Sequence, residues 1–344
     1  MKKNGNITIR DVARKLGLSV STVSNVINQK NTIPERTRRR VIETMNRMQY
    51  MPNRFAQSLV TKKSKTIALL VPSLDNPFFA SLNNGVYQYI NEKRPDYRIM
   101  IGNTRYSIDL EENLIRSFRQ ELTDGYILVS NNPSNEEIVN LKQSHIPCVF
   151  AMNDPRTVTD APLVTYDQYD AAYMATEHFI NLGHTRIGYI TGFTDELKRA
   201  EMRYLGFRRC LDDHHILFEE RFFAKCGMYT PKCGYNAFMD IYKERYSPSA
   251  ILCSGDIIAV GVISAIWNVG LKVPDDISVI GFDNIPSSPY LYPPLTTVNI
   301  NLFDMGYEAA DVLFRYIDEE DIVHYKHIHR VEILHRESCT HPPS

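Results

Sequence analysis

The chain has 344 residues, 43% of them apolar, and a formal net charge of −1, which is too long for one ordinary domain and apolar enough for real cores. No run approaches the roughly 18 apolar residues of a membrane span, and the opening MKKNGNITIRDVARKLG has two lysines but no apolar h-region, so neither a membrane segment nor a secretory leader is expected. Cys148, Cys210, Cys226, Cys233, Cys253 and Cys339 lack CxxC spacing and read as reduced, mostly buried thiols, so a cytoplasmic protein is expected.

The small net charge hides a division. Residues 1–65 carry 15 Lys and Arg against 3 Asp and Glu, a net of +12, and the remainder carries 24 against 37, a net of −13. A basic head on an acidic body points to a nucleic-acid-binding unit attached to a soluble one.

Three short helices fit into residues 8–50. The first opens at Thr8 as N-cap, with Asp11 in its first turn, and puts Ile9, Val12, Ala13 and Leu16 on one face. Gly17 ends it in a tight turn. Ser19 caps a second helix with Val23, Val26 and Ile27 inward. The third opens near Pro34 and buries Val41, Ile42, Met45 and Met48. Small Ala13 permits a close helix approach, Gly17 makes the bend and Val23 fills the gap, which is the packing of a helix-turn-helix. The outer face of the second helix then presents Val20, Ser21, Thr22, Ser24, Asn25 and Asn28, short side chains suited to base edges and phosphates. Pro52 breaks the third helix, and Asn53 can begin a short new one with Ala56 and Leu59 on one face.

From Thr66 the pattern alternates. Strand-like runs at 66–71, 97–101, 125–129, 146–151, 186–190, 250–254 and 277–281 are separated by helix-like runs at 78–93, 108–121, 167–182, 199–213, 231–245 and 256–269. Such alternation implies parallel sheets with helices on both faces, and some 275 residues of it imply two doubly wound lobes with a cleft at the strand C-termini.

The words ITIRDVARKLGLSVSTVSNVIN, RTRRRVIETMNRMQYMPN, NRFAQSLVTKKSKTIALLVP, DNPFF, ATEHFINLGHTRIGYITG, RYLGF, KVPDDISVIGFDN and PPLTTV stand in one order along residues 6–340. In this the sequence resembles the lactose-repressor/galactose-repressor family of bacterial regulators. The resemblance implies an all-α helix-turn-helix head (1–50), a hinge helix and linker (51–65) and an α/β body (66–340). The body would be periplasmic-binding-protein-like, type I, with the chain crossing three times between a first lobe (about 66–163 and 300–326) and a second (about 164–297 and 328–340). It implies base reading by Val20, Ser21 and Asn25, the last standing where many members carry Arg, and a minor-groove wedge at Leu59 formed with a dimer mate. The tail SCTHPPS has no heptad leucines, so a homodimer on a palindromic operator is expected rather than a tetramer.

For the cleft, the resemblance implies Asn76, Phe78 and Phe79 from DNPFF, Arg203, Asp283 and an aromatic lid at Tyr229, with Ser130 a weaker candidate. Three positions depart from the common sugar-binding pattern: Met152, Gly255 and Ile300 each stand where relatives carry a hydrogen-bonding residue. An effector less hydroxylated than a plain hexose, or one with a phosphate or carboxylate for Arg203, follows.

The histidines of HYKHIH and DDHH could suggest a metal. His327 and His329 would share a face if 327–333 were a strand, but no Cys or Glu partner is evident, so no metal or cofactor is expected. No P-loop, nucleophile elbow or paired catalytic carboxylates occur. The expected function is therefore a ligand-responsive, dimeric DNA-binding repressor of a catabolic or uptake operon. The alternatives are a solute-binding protein of a transporter, which the basic head opposes, and a sugar-handling enzyme, which nothing supports.

Overall fold

The computed structural model describes residues 7–28, 33–51, 63–192, 198–244 and 247–343. The chain divides into two compact units, Met1–Lys65 and Thr66–Ser344.

The first unit holds α1 (Ile9–Leu16), α2 (Val20–Ile27) and α3 (Glu35–Arg47). Asp11 accepts from the Thr8 backbone N–H at 3.0 Å and from its hydroxyl at 2.7 Å, which fixes the start of α1. These bonds hold the Asp11 carboxyl below its ordinary range. Gly17 ends α1 at φ +65°, a conformation a side chain would strain. The Ser19 hydroxyl accepts from the Thr22 N–H at 3.0 Å and starts α2. The core is Val12, Ala13, Val23, Val26 and Val41, with Ile9, Leu16, Ile27, Met45 and Met48 packed around it. Ile42 is a correction. It is 46% exposed, because Val41, Met45 and Met48 recur every three to four residues on one face and the neighbour of the first lies about 100° off it.

The second unit is built on two six-stranded sheets. In the first, the order is β11 (Lys326–His329), β5 (Leu163–Tyr166), β4 (Cys148–Ala151), β3 (Gly125–Leu128), β1 (Thr66–Val71) and β2 (Arg98–Asn103), all parallel. In the second it is β12 (Glu332–Leu334), β10 (Thr296–Asn299), β9 (Ser278–Asp283), β8 (Ala250–Cys253), β6 (Ile187–Thr191) and β7 (Phe223–Lys225). There only β12 runs antiparallel. The crossover helices of the first sheet are α4 (Pro77–Lys93), α5 (Ile108–Gln120) and α6 (Glu136–Gln143). Those of the second are α7 (Gln168–Asn181), α8 (Lys198–Asp213), α9 (Pro231–Ile241) and α10 (Asp256–Asn268). After β10 the chain returns to the first sheet through α11 (Leu302–Ile317).

The central strands are buried along their length, as a parallel sheet covered on both faces requires. The chain passes between the sheets after β5, after β10 and after β11. Two of these passages come slightly later than expected: β5 pairs with β4 in the first sheet, so that lobe runs to Tyr166, and β11 keeps His329 there. The stretch considered as a single strand over 327–333 is divided between β11 and β12, one in each sheet. Helices α4 and α11 lie in backbone contact: a Cβ on Gly85 would meet the Phe303 carbonyl oxygen, and one on Gly306 that of Leu82. All six cysteines are free. Among the described residues no helix is long and apolar enough to cross a membrane.

Candidate functional site

In the first unit, α2 carries the surface expected to read bases. Val20 is 42% exposed and Ser21 is also exposed, while Thr22, Ser24, Asn25 and Asn28 are half-buried along its flank. The hydroxyls interact locally: Ser19 Oγ lies 2.8 Å from both Ser21 Oγ and Thr22 Oγ1, and Asn28 donates to Ser24 Oγ at 3.3 Å. The Asn25 amide makes no hydrogen bond among the described residues, so both its donor and acceptor sides are available to a partner. Arg10, Arg14, Lys15, Arg36, Arg39, Arg40 and Arg47 are exposed around this helix bundle. Thr8 is tied to Asp11 as a cap. Asn53, Ala56 and Leu59 lie outside the described residues.

In the second unit, a cavity with an empty volume of about 280 Å³ is lined by Asn76, Phe78, Phe79, Tyr106, Arg199, Arg203, Tyr229 and Asp283. Six of the seven residues expected at the cleft are there. Asn76 caps α4, its Oδ1 accepting from the Phe78 N–H at 3.1 Å, so the cap also fixes the first aromatic wall. Phe78 and Phe79 meet edge to face, ring centroids 4.8 Å apart. Opposite them, Tyr229 lies nearly parallel to Tyr106 at 6.2 Å between centroids. The Tyr229 ring is seated on two glycines: a Cβ at Gly192 would come within 2.7 Å of it, and one at Gly255 within 3.3 Å of both the ring and Asp283 Oδ2. Position 255 therefore adjoins the cavity wall. Met152 and Ile300 are fully buried in the core instead.

The seventh residue, Ser130, is not among the lining residues. Its hydroxyl accepts from the Asn132 N–H at 3.1 Å and its carbonyl from Asn153 at 2.8 Å. The sequence reading missed Tyr106 and Arg199. Arg199 was within reach, because it stands one helical turn before Arg203 on α8 and so shares its face. Tyr106 follows Arg105 in a turn where both residues have positive φ, 49° and 61°, and no periodicity announces such a turn.

The electrostatics of the cavity are built by two arginines and one carboxyl. Arg203 Nε donates to Gln168 Oε1 at 2.8 Å, and its other nitrogens donate to the Ser254 carbonyl and the Tyr166 hydroxyl. The guanidinium lies 4.2 Å over the Phe282 ring. Burial lowers its proton affinity, but Tyr166 and Asp283 more than offset that, so it stays charged. Arg199 donates to Asn131 Oδ1 at 3.3 Å. Asp283 is buried, with Oδ1 lacking a hydrogen-bond partner among the described residues. Burial pushes its carboxyl well above the usual range, Arg203 and Arg199 pull it back, and Asp256 pushes it further. Its backbone sits at φ +111°, a strained conformation of the kind that collects at ligand sites. Behind it, Asp256 accepts from Ser288 (2.5 Å), Thr297 (2.6 Å) and the Ile285 N–H (2.9 Å), which braces the loop after β9.

Comparison with known proteins agrees with both units. Residues 8–53 match the model of the lacI family of bacterial regulatory proteins, and residues 176–339 match a periplasmic binding protein-like domain. The chain is 32% identical over 317 residues to catabolite control protein A of Priestia megaterium, covering 92% of this chain and 94% of that one. It is 34% identical over 321 residues to the HTH-type transcriptional repressor PurR of Aliivibrio fischeri (strain ATCC 700601 / ES114), covering 91% and 93%. A lac repressor dimer bound to operator and the anti-inducer ONPF shares the fold, with a TM-score of 0.86 at 23% identity over 98% of this chain and 100% of that one. The chain belongs to the lacI family of bacterial regulatory proteins: it is an effector-responsive, DNA-binding transcription regulator and not an enzyme.

Proposed function

We propose that the protein is a homodimeric repressor that holds a palindromic operator through Val20, Ser21 and Asn25 and a hinge wedge at Leu59. In this reading it acts in the cytoplasm, on nucleoid DNA, and controls a catabolic or uptake operon in response to a small metabolite held by Asn76, Phe78, Phe79, Tyr106, Arg199, Arg203, Tyr229 and Asp283. The observation that carries the effector site is Asp283: a buried carboxyl with an unpaired oxygen and a strained backbone, among the residues that line an aromatic-walled cavity. A polar atom left in that state costs about 1–3 kcal/mol unless a ligand donor satisfies it. The two arginines against one carboxyl favour a sugar derivative or other ring compound bearing a phosphate or carboxylate. Three of the five N–H donors of Arg203 are committed to the protein, so two are left, and Arg199 supplies the more available charge.

The test is a thermal-shift screen of the full chain against sugars, sugar acids, nucleosides and their phosphates, since a ligand of the folded state raises stability by about 2.7 kcal/mol at a hundred times its Kd. An anionic ring compound is expected to give the largest shift. Response to neutral hexoses alone would overturn the anionic reading. With the effector in hand, Asp283→Asn is expected to weaken it by roughly 5–150-fold, the equivalent of the about 1–3 kcal/mol of a buried polar group left without its partner. Titration calorimetry reads this directly, and an affinity within twofold of the parent would remove Asp283 from the site.

The DNA reading has its own check. Asn pairs bidentately with adenine and Arg with guanine, each pair discriminating by about 1–3 kcal/mol. Selection of operators from random duplexes should therefore return adenine at one symmetric position for the parent and guanine for Asn25→Arg. Unchanged preference would exclude Asn25 from base reading. Binding to the selected palindrome should also fall steeply with salt, as several phosphate contacts per dimer require. A solute-binding protein would show neither effect, and the lacI-type head matched over residues 8–53 favours the regulator reading.

A further inference from the structure

The histidine pair set aside in the sequence acquires a carboxylate in the fold. His327 and His329 lie two apart on β11, the edge strand of the first sheet, so their side chains leave it on one face. Helix α11 supplies Glu308 to that face from 19 and 21 residues earlier. His327 Nδ1 stands 2.6 Å from Glu308 Oε1 and 2.8 Å from Oε2, and His329 Nε2 stands 2.7 Å from Oε2. One nitrogen from each imidazole and one carboxylate oxygen all lie within 4.8 Å of one another. The two rings are 4.3 Å apart between centroids. The Tyr325 hydroxyl donates to Glu308 Oε1 at 2.6 Å. The cluster is far from a sealed core: the His327 side chain is 48% exposed, against 13% for His329 and 19% for Glu308.

We propose that Glu308, His327 and His329 form a binding site for a zinc-type divalent ion on the first lobe, separate from the effector cavity. Two imidazole nitrogens and one carboxylate oxygen are a ligand set for Zn²⁺, Co²⁺ or Ni²⁺, whereas Mg²⁺ and Ca²⁺ take shells of oxygen. Ligand atoms at about 2.0–2.1 Å from a tetrahedral ion stand about 3.3 Å from each other. The His–Glu contacts of 2.6–2.8 Å would part and the three donor atoms, all within 4.8 Å of one another, would draw to that spacing around the ion. The exposed flank at His327 gives the ion its entry and leaves the remaining coordination position to water. Tyr325 acts on the ion through Glu308, as an orienting partner of the carboxylate. The site also has a place in the architecture. Strand β11 passes through Arg330 and Val331 into β12 of the second sheet, so an ion shared by α11 and β11 fastens the first-lobe end of the last passage between the sheets.

The experiment uses tag-free, metal-stripped full-length protein, titrated with Zn²⁺ by calorimetry and with Co²⁺ by visible absorption. One ion per chain is expected, with a rise in melting temperature that EDTA reverses. His327→Ala and His329→Ala should each weaken binding by at least the roughly 10–100-fold that outer partners alone control, and Tyr325→Phe by less. His335→Ala, which touches the separate His178–His335 ring pair, should change nothing. His327 is half exposed, so its alanine variant is expected to fold, and operator binding by that variant verifies this. Failure to bind one equivalent of Zn²⁺, or unchanged affinity in folded His327→Ala, would overturn the site and leave the three residues a hydrogen-bonded cluster.

Discussion

Arg203→Met is expected to lower the unfolding free energy of the protein by about 3–5 kcal/mol, the cost of leaving the partners of a buried charge unpaired. The side chain is only 4% exposed, and it joins parts of the body that are far apart in sequence. Tyr166 closes β5 of the first sheet, Gln168 opens α7 of the second, and Ser254 follows β8. Methionine fills most of the volume but returns none of the three hydrogen bonds, so the Tyr166 hydroxyl, the Gln168 amide oxygen and the Ser254 carbonyl are all orphaned in a dry interior. Asp283 also loses the charge that draws its carboxyl down. Arg203→Lys should recover little, because a single ammonium cannot span three acceptors that a planar fork reaches together. Urea unfolding followed by circular dichroism measures the loss. A change under about 1 kcal/mol for Arg203→Met would mean that the network is held by the other elements, and that Arg203 serves the effector alone.

What was legible in the sequence was what is local. Thr8 with Asp11, Gly17 and Ser19 act within one turn of their own positions, so the boundaries of α1 and α2 could be read directly, and Val23 could be placed between them. The apolar runs of β1, β6, β8 and β9 were legible because a strand covered on both faces has no polar alternative. Strands β5, β7, β10, β11 and β12 were not, because each is three or four residues interrupted by polar side chains and becomes a strand only when a neighbour pairs with it. The cleft followed the same division. Asn76, Phe78 and Phe79 came as one contiguous word. Tyr106 depends on a turn with two positive φ values, and Gly192 matters only because the Tyr229 ring, 37 residues on, rests against it. Glu308 escaped notice as a partner of His327 and His329 for the same reason: the hairpin of α11 and β11 exists only in three dimensions.

Glu111 should make the stability of the body fall as pH rises towards neutrality. It lies in the first turn of α5, 1% exposed, with its carboxyl beside Ser130, Asn131 and Asn135. Burial pushes it up to about 7, against the opposing pull of Ser130, Asn131, Arg199 and Asn135. A carboxyl that binds its proton more tightly folded than unfolded contributes stability that is fully present below about 4.5, the unfolded value, and lost as pH climbs to about 7. A shift of this size corresponds to about 3 kcal/mol. Asp256, pushed up to about 6 mainly by burial, adds loss of the same sign over a lower window, so the comparison must be differential. Glu111→Gln keeps the shape and stays neutral at every pH. The gap between parent and variant should therefore move by about 3 kcal/mol in favour of the variant between about pH 4 and 8, as read by urea unfolding across that range. The proton also bears on function, because Arg199 reaches both Glu111 and the cavity. Once Glu111 ionises it competes for the charge of Arg199, so an anionic effector should bind more weakly as pH rises through about 7, and Glu111→Gln should abolish that dependence. Parallel pH profiles for the two proteins, in stability and in effector affinity, would show that this carboxyl is already ionised when buried and that Arg199 answers to something else.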